Sequence, residues 1–390
     1  MLRAGARRTA LLPAAALILS LVVAAIAAMA AMAAIAAIAA PVSGDTETRS
    51  ADHFVILLYH HVSRDTPPST SVSPERFAEH LDWLQVQDHE IWPLRRALEA
   101  LAADELPDRV VAISFDDAYT SVHDTAWPML AERGMPFSVF VNTDAIDAGN
   151  EPYMDWTELR ALAEAGVELG NHSASHAHLP RTGADEDEAA WKRHVAEDID
   201  RAHHRIEQQT GQAPALFAWP YGEDAADLYP LVAERYGHAL VQRSGAVGPD
   251  SEPMALPRFP LARGWDSIER LALAVGARPL PVTAAETRPP RRRAAVSDPE
   301  QLRLRLSEQG SGPGFSAARI QCYSATGAEL PTTRVEATEE LELHIDLAAV
   351  GRPGRNKVNC TAPAEDGSGD FYWHSFQWLQ PRADGSWPIN

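Results

Sequence analysis

Between Phe54 and Val241 the sequence alternates short, almost unbroken apolar runs with segments of helical period, and that alternation leaves few folds open. Six runs, Phe54–Tyr59, Val110–Ile113, Phe137–Val141, Val167–Leu169, Leu216–Trp219 and Ala239–Val241, have strand length. Near-continuous apolar runs read as strands buried on both faces, as in parallel sheets covered by crossover helices. The intervening segments carry helix signals. Ser73-Pro74 supplies an N-cap and a first-turn proline ahead of an apolar stripe at Phe77, Leu81 and Leu84. Trp127–Arg133 and Trp156–Ala165 stop at Gly134 and Gly166, and a long charged segment from Asp185 to Gln209 stops at Gly211. The pattern predicts an α/β fold, a distorted (β/α) barrel, with an open doubly wound sheet as the fallback. No Gly-rich dinucleotide fingerprint or phosphate loop follows any of these runs.

The flanks differ from this middle. Arg3, Arg7 and Arg8 precede a stretch from Thr9 to Ala40 without a single charge, so residues 1–45 read as a signal peptide or an N-terminal membrane anchor. Ala37-Ile38-Ala39 offers the small residues of a cleavage site, whereas the length of the stretch suits a bilayer of ~30 Å. Both readings put the rest of the chain outside the cytoplasmic membrane, periplasmic or associated with the cell envelope. The barrel is expected over residues 50–278, followed by a Pro/Arg-rich linker over 279–295. Period-two runs at Leu302, Leu304, Leu306 and at Leu341, Leu343, Ile345, Leu347 predict a small all-β sandwich over residues 296–390. Its Trp373, Trp378 and Trp387 read either as sandwich core or as a sugar platform. Cys322 and Cys360, an even pair in an exported chain, are a disulfide candidate.

The net charge of -20, from 34 basic and 54 acidic side chains, argues against nucleic acid as a partner. The chemistry-bearing residues sit where the strands end. Ser114-Phe115-Asp116-Asp117 follows the second run, His172-Ser173-Ala174-Ser175-His176 the fourth, and Phe217-Ala218-Trp219-Pro220-Tyr221-Gly222 spans the fifth. Strand ends on one rim are where (β/α) barrels place their chemistry. His172 and His176, four apart, share one side if that segment winds helically. Two histidines and a carboxylate make a common catalytic zinc set with a position left open for water. Neighbouring carboxylates at a strand end point to opposite sides, so one can ligate a metal while the other serves as a base. Solvated surface residues are the bland reading for an isolated His pair, and the shared placement at strand ends favours the site.

These segments resemble the polysaccharide deacetylase family, also called the NodB-homology family or carbohydrate esterase family 4, over about residues 52–265. The resemblance implies a fold, a reaction and roles. Asp116 would be the catalytic base and Asp117 a metal ligand, with His172 and His176 completing the ligand set. Pro220 and Tyr221, with Trp219, would line a substrate groove, and Asp155-Trp156 loosely matches another wall motif of the family, although Asp155 reads equally as a helix N-cap and Trp156 as helix packing. The chain departs from the general family pattern twice: Ala218 stands where an arginine steadies the catalytic base, and no late Leu-x-His motif follows Tyr221. Leu58-Tyr59-His60-His61-Val62 on the first strand instead resembles the branch acting on poly-β-1,6-N-acetylglucosamine, which implies His60 as the general acid and leaves His61 pointing elsewhere. The cofactor implied is a divalent metal, Zn2+ by default with Ni2+, Co2+ or Fe2+ as alternatives. The function expected is hydrolysis of N-acetyl groups on an exopolysaccharide. The competing readings are a deacetylase of peptidoglycan, chitin-like oligomers or O-acetylated xylan, and a catalytically weak glycan-binding protein. Residues 296–390 are expected to contact a glycan or a synthase partner. A serine hydrolase is disfavoured, since no Gly-x-Ser-x-Gly elbow occurs.

Overall fold

Strand after strand from residue 55 onward is parallel to its neighbour, and together they wrap a site-bearing rim. The computed structural model describes residues 52–182, 186–288, 300–307, 314–336 and 340–388. The leader or anchor expected over 1–45 lies outside the described residues, and among those described no helix is long and apolar enough to cross a membrane. In chain order the first ten strands are β1 (Val55–Tyr59), β2 (His61–Val62), β3 (Ser71–Val72), β4 (Glu90–Ile91), β5 (Val110–Phe115), β6 (Ser138–Val141), β7 (Glu168–Asn171), β8 (Leu216–Ala218), β9 (His238–Leu240) and β10 (Phe259–Pro260). The main sheet runs β10-β1-β5-β6-β7-β8-β9, with β4 added on β5 and every pair parallel. The segment 256–260 brings its two edges together: Leu256 bridges Leu240 just after β9's side of the sheet, and β10, three residues on, pairs with β1. The outcome is a half-open barrel.

Alternation along the strands sorts the core into layers. On β1, Val55, Leu57 and Tyr59 pack outward with Phe77, Leu81 and Leu84 of the helix Pro74–Val86, while Ile56 packs inward with Ala112, Phe140, Ala218 and Leu240. The helix starts where the sequence signals it, with Ser73 Oγ accepting from the Arg76 amide at 3.2 Å and Pro74 in the first turn. Helix Trp156–Glu164 begins at an Asp155–Glu158 capping box, and Glu188–Thr210 ends on Gly211 at φ 73°. Sequence periodicity gave no warning of the amphipathic helix Leu94–Ala102 or of the two-residue strands β2, β3, β4 and β10, which are too short for a period to register.

The second half is all β. It comprises β11 (Ala277–Pro279), β12 (Val282–Arg288), β13 (Gln301–Ser307), β14 (Gln321–Ser324), β15 (Glu329–Leu330), β16 (Thr332–Glu336), β17 (Glu340–Asp346), β18 (Gly354–Pro363) and β19 (Phe371–Gln380). Two sheets, β11-β19-β18-β14-β15 and β12-β13-β17-β16, enclose a core in which Leu302 opposes Ile345 and Leu304 opposes Leu343. The β architecture therefore begins before residue 296. Residues 277–279 and 282–288 are strands, where composition pointed to a linker from 279. Pro279 is the last residue of β11, opposite Trp373, and Pro281 precedes β12, so neither proline sits in the middle of a strand. Residues 289–299 lie outside the described residues. Cys322 and Cys360 oppose each other on β14 and β18 and are joined by a disulfide. The described residues from Asp52 onward belong to one compact unit.

Candidate active site

The end of β5 delivers two carboxylates into different surroundings. Asp116 is fully buried, and its amide donates to Tyr59 O at 3.1 Å. The chain then turns through left-handed backbone at Asp117 (φ 73°) and Ala118 (φ 56°), which swings the second carboxylate away from the first. Asp117 Oδ1 faces His176 Nε2 at 3.0 Å and His172 Nε2 at 3.4 Å. His172 follows β7, and its Nδ1 bonds Ala218 O at 2.8 Å. That bond makes Nδ1 the protonated nitrogen and leaves the Nε2 lone pair directed at the carboxylate.

The His172–His176 segment is not helical. Ser173 (φ 64°) and His176 (φ 52°) take left-handed backbone and the chain forms a compact bend. Polar contacts hold it: Ser173 N donates to Asn171 Oδ1 at 2.7 Å, His176 N to Ser173 Oγ at 2.9 Å, and the Ala174 and Ser175 amides to Asp198. Bend geometry rather than a helical turn brings the two rings together.

Ligand atoms of Asp117, His172 and His176 lie within 4.8 Å of one another. Asp117 Oδ1 and His172 Nε2 are buried with no hydrogen-bond partner. A buried carboxylate oxygen and a buried imidazole lone pair left orphaned face to face are costly unless a cation sits between them. The donor set, two imidazoles and one carboxylate, suits a first-row divalent metal. Burial pushes the Asp117 carboxyl up, but the two imidazoles outweigh it and hold it well below the usual range, in the ionised state that a ligand needs.

Asp116 has a partner that its motif does not announce. Arg258, on the segment leading into β10 and itself fully buried, grips it with two bonds of 2.7 Å, Nη1 to Oδ1 and Nη2 to Oδ2. The guanidinium is aimed by Nε to Val241 O at 3.0 Å and by Nη1 to Ser114 Oγ at 3.3 Å. The arginine absent at Ala218 is thus replaced from the other edge of the barrel. Burial alone would raise the Asp116 carboxyl, but the Arg258 charge leads the opposing interactions and leaves it below its ordinary value. Gln242 Nε2 adds a bond to Asp116 Oδ2 at 3.3 Å and lies 3.5 Å from His60 Nε2. His60 at the end of β1 faces both carboxylates, Arg258 and His172, and burial pulls its imidazole below its ordinary value. His61 turns away to stack on Tyr119 at 3.6 Å.

The expected groove residues separate. Tyr221, in left-handed backbone at φ 60°, leans on His176 (ring centroids 4.6 Å) and stacks on His178 at 3.8 Å. His178 is fixed in turn by the fully buried Glu223, which also receives Arg181. Pro220 is buried beneath this loop. Trp219 is not a groove residue: it is fully buried, donates to Met254 O at 2.9 Å and packs with Phe217, which shares its face of the strand. Asp155 is the cap of its helix. Trp156 packs on the outer core and donates to Asp147 Oδ1 at 2.7 Å, so neither joins the cluster. Trp378 is sandwich core and Trp373 sets its edge on Phe259 of the barrel, which leaves neither as a sugar platform. Residues that sequence reading missed are Arg258, Gln242, His178 and Glu223. Only for Arg258 was there a signal: with Ala218 where the resemblance implies an arginine beside Asp116, a cation from elsewhere is called for.

Comparison with known proteins matches this arrangement. Residues 103–241 match the family model described as polysaccharide deacetylase. The poly-beta-1,6-N-acetyl-D-glucosamine N-deacetylase of Staphylococcus aureus (strain MRSA252) is 24% identical over 218 residues, covering 54% of this chain and 74% of that protein. Among solved structures, the Streptococcus pyogenes deacetylase PplD in complex with acetate superposes with a TM-score of 0.52 at 19% identity, over 57% of this chain and 98% of that one. IcaB from Ammonifex degensii gives 0.50 at 22% identity, over 57% and 97%. At such identities the two structures speak for the barrel fold. Motif, fold and matched sequence coincide on the same residues: the chain carries a polysaccharide deacetylase domain over residues 103–241 and is a hydrolase.

Proposed function

We propose that this chain is an exported, metal-dependent N-deacetylase of an N-acetylglucosamine polymer, with poly-β-1,6-N-acetylglucosamine as its substrate. The observation that carries the reading is the pairing of an Arg258-clamped, ionised Asp116 with the Asp117–His172–His176 cluster beside it, in which Asp117 Oδ1 and His172 Nε2 are orphaned. Asp117, His172 and His176 would hold the metal, Zn2+ by default, and a bound divalent ion lowers the pKa of water and polarises a carbonyl. Asp116, which the Arg258 charge keeps ionised, takes the proton of the attacking water. The backbone N–H of Tyr221, on a loop bent at φ 60°, is offered to the oxyanion that develops on the acetyl oxygen. His60 delivers a proton to the departing sugar amine. Burial pulls its imidazole below the ordinary value, which favours giving the proton up. The substrate assignment draws on the name of the staphylococcal relative and on the early Tyr59-His60. Export rests on the uncharged stretch after Arg8, which implies a periplasmic or envelope location.

The test is acetate release from poly-β-1,6-N-acetylglucosamine by apo protein, by zinc-loaded protein and by the Asp116→Asn variant. Metal-dependent release that falls by on the order of 10³-fold or more in the variant is the expected result. Turnover of peptidoglycan or chitin oligomers instead would keep the mechanism and replace the substrate. Protein that binds no zinc and releases no acetate would return the chain to the glycan-binding reading.

A further inference from the structure

One face of the sandwich is spent on the catalytic rim. On β18, Val358, Cys360 and Ala362 point into the sandwich core, so Arg355 and Lys357 share the opposite face. Across the ladder Lys357 opposes Gln377 and Asn359 opposes Ser375, which puts Gln377 and Ser375 on that face too. All four end on backbone carbonyls of the loops around the site. Gln377 Nε2 donates to Gly222 O at 2.8 Å and Lys357 Nζ to Gln242 O at 2.5 Å. Ser375 Oγ donates to Ser244 O at 2.5 Å, and Arg355 donates to Tyr221 O.

The two loops are also locked to each other. A Cβ on Gly222 would sit 2.4 Å from Gln242 N, so only glycine lets the Tyr221 loop lie this close to residue 242. Gln242 then carries the constraint inward, since its side chain reaches both Asp116 and His60. A carbonyl fixed from outside therefore fixes an amide that touches two reacting groups.

We propose that Lys357 and Gln377 are positioning residues: the sandwich sheet holds Gln242 and the Tyr221–Gly222 loop in register with Asp116 and His60. This rests on the deacetylase reading above. The sandwich thereby sets the geometry of turnover, whereas a glycan-binding module would set the affinity for the polymer.

The experiment uses the full chain, loaded with zinc, in Lys357→Met, Gln377→Ala and Lys357→Arg variants. Acetate release is followed as kcat and KM, thermal unfolding is recorded, and amide hydrogen exchange is read at residues 221–223 and 242–244 without substrate. Positioning predicts kcat lower by on the order of tenfold in the first two variants with KM within about twofold, because small misplacements of reacting groups are costly. Exchange at both loops rises, the unfolding temperature of Lys357→Met does not fall below that of the wild type, and Lys357→Arg, which restores a donor, recovers most of kcat. Wild-type kcat and exchange in both variants overturn the proposal. A raised KM at unchanged kcat also overturns it, in favour of a glycan-binding face. Absence of acetate release by the wild-type chain overturns the deacetylase reading instead, while the exchange data still decide whether the sheet holds the loops.

Discussion

Asp116 is fully buried, and its charge is balanced chiefly by one side chain. A buried carboxylate stripped of its partner costs about 3–5 kcal/mol, more than any surface pair in the molecule can supply. Arg258→Met is therefore expected to lower the unfolding free energy by about that amount in urea titrations. It should also reduce kcat by on the order of 10²-fold, since Asp116, the proposed base, drifts from its line of attack once unclamped. Arg258→Lys, which keeps the charge but not the fork, should fall between the two. The same residue shows what sequence can and cannot tell. Asp116-Asp117 and His172–His176 were legible because their chemistry is packed into neighbouring positions. Arg258 lies 142 residues from Asp116, in a run that carries no pattern of its own. Trp219 misled for the opposite reason: its motif pointed to a groove, although strand alternation with Phe217 already assigned it to the outer core.

Among the elements, long strands and helices announced themselves through period and caps, while the pieces that close the site did not. β10 has two residues and the bend after β7 has no repeat, so neither leaves a signal in a window of several residues. Where β18 meets the loop after β9, an ammonium lies between them. Burial first, and then the charges of Arg355 and Arg243, push the Lys357 amine down to about 7 from an ordinary value of 10.5. In the unfolded chain the lysine stays protonated up to its ordinary pKa, so between about 7 and 10.5 the unfolded state binds more protons and this group makes stability rise with pH. Below about 7 both states are protonated, and the cost of the buried ammonium is at its full value. Lys357→Met should accordingly gain on the wild type at pH 6 and lose that advantage step by step towards pH 10. Denaturant titrations at a series of pH values would register this. An advantage that does not vary with pH would mean that the amine is solvated.

At the scale of the molecule, the alternation of apolar runs and helices pointed to the barrel, and the period-two leucines to the sandwich. Composition misplaced the junction, because prolines at 279 and 281 and the arginines from 291 to 293 look like a linker whatever the backbone between them does. In the structure β11 pairs with β19, Leu280 N donates to Trp373 O at 3.1 Å, and Trp373 packs its edge on Phe259 of the barrel. A chain cut back to residues 52–276 would thus lack both β11 and its partner β19, and would lose an aromatic contact with the barrel core and all four donors to the rim loops. If the junction were a passive tether, calorimetry would find the truncated barrel melting where it melts in the whole protein, with kcat unchanged. The interface leads to a different expectation. The full chain should melt in one transition, the truncated barrel several degrees lower, and its kcat should fall at least as far as in Lys357→Met and Gln377→Ala, because every tie from the sandwich to Gln242 and the Tyr221 loop goes at once.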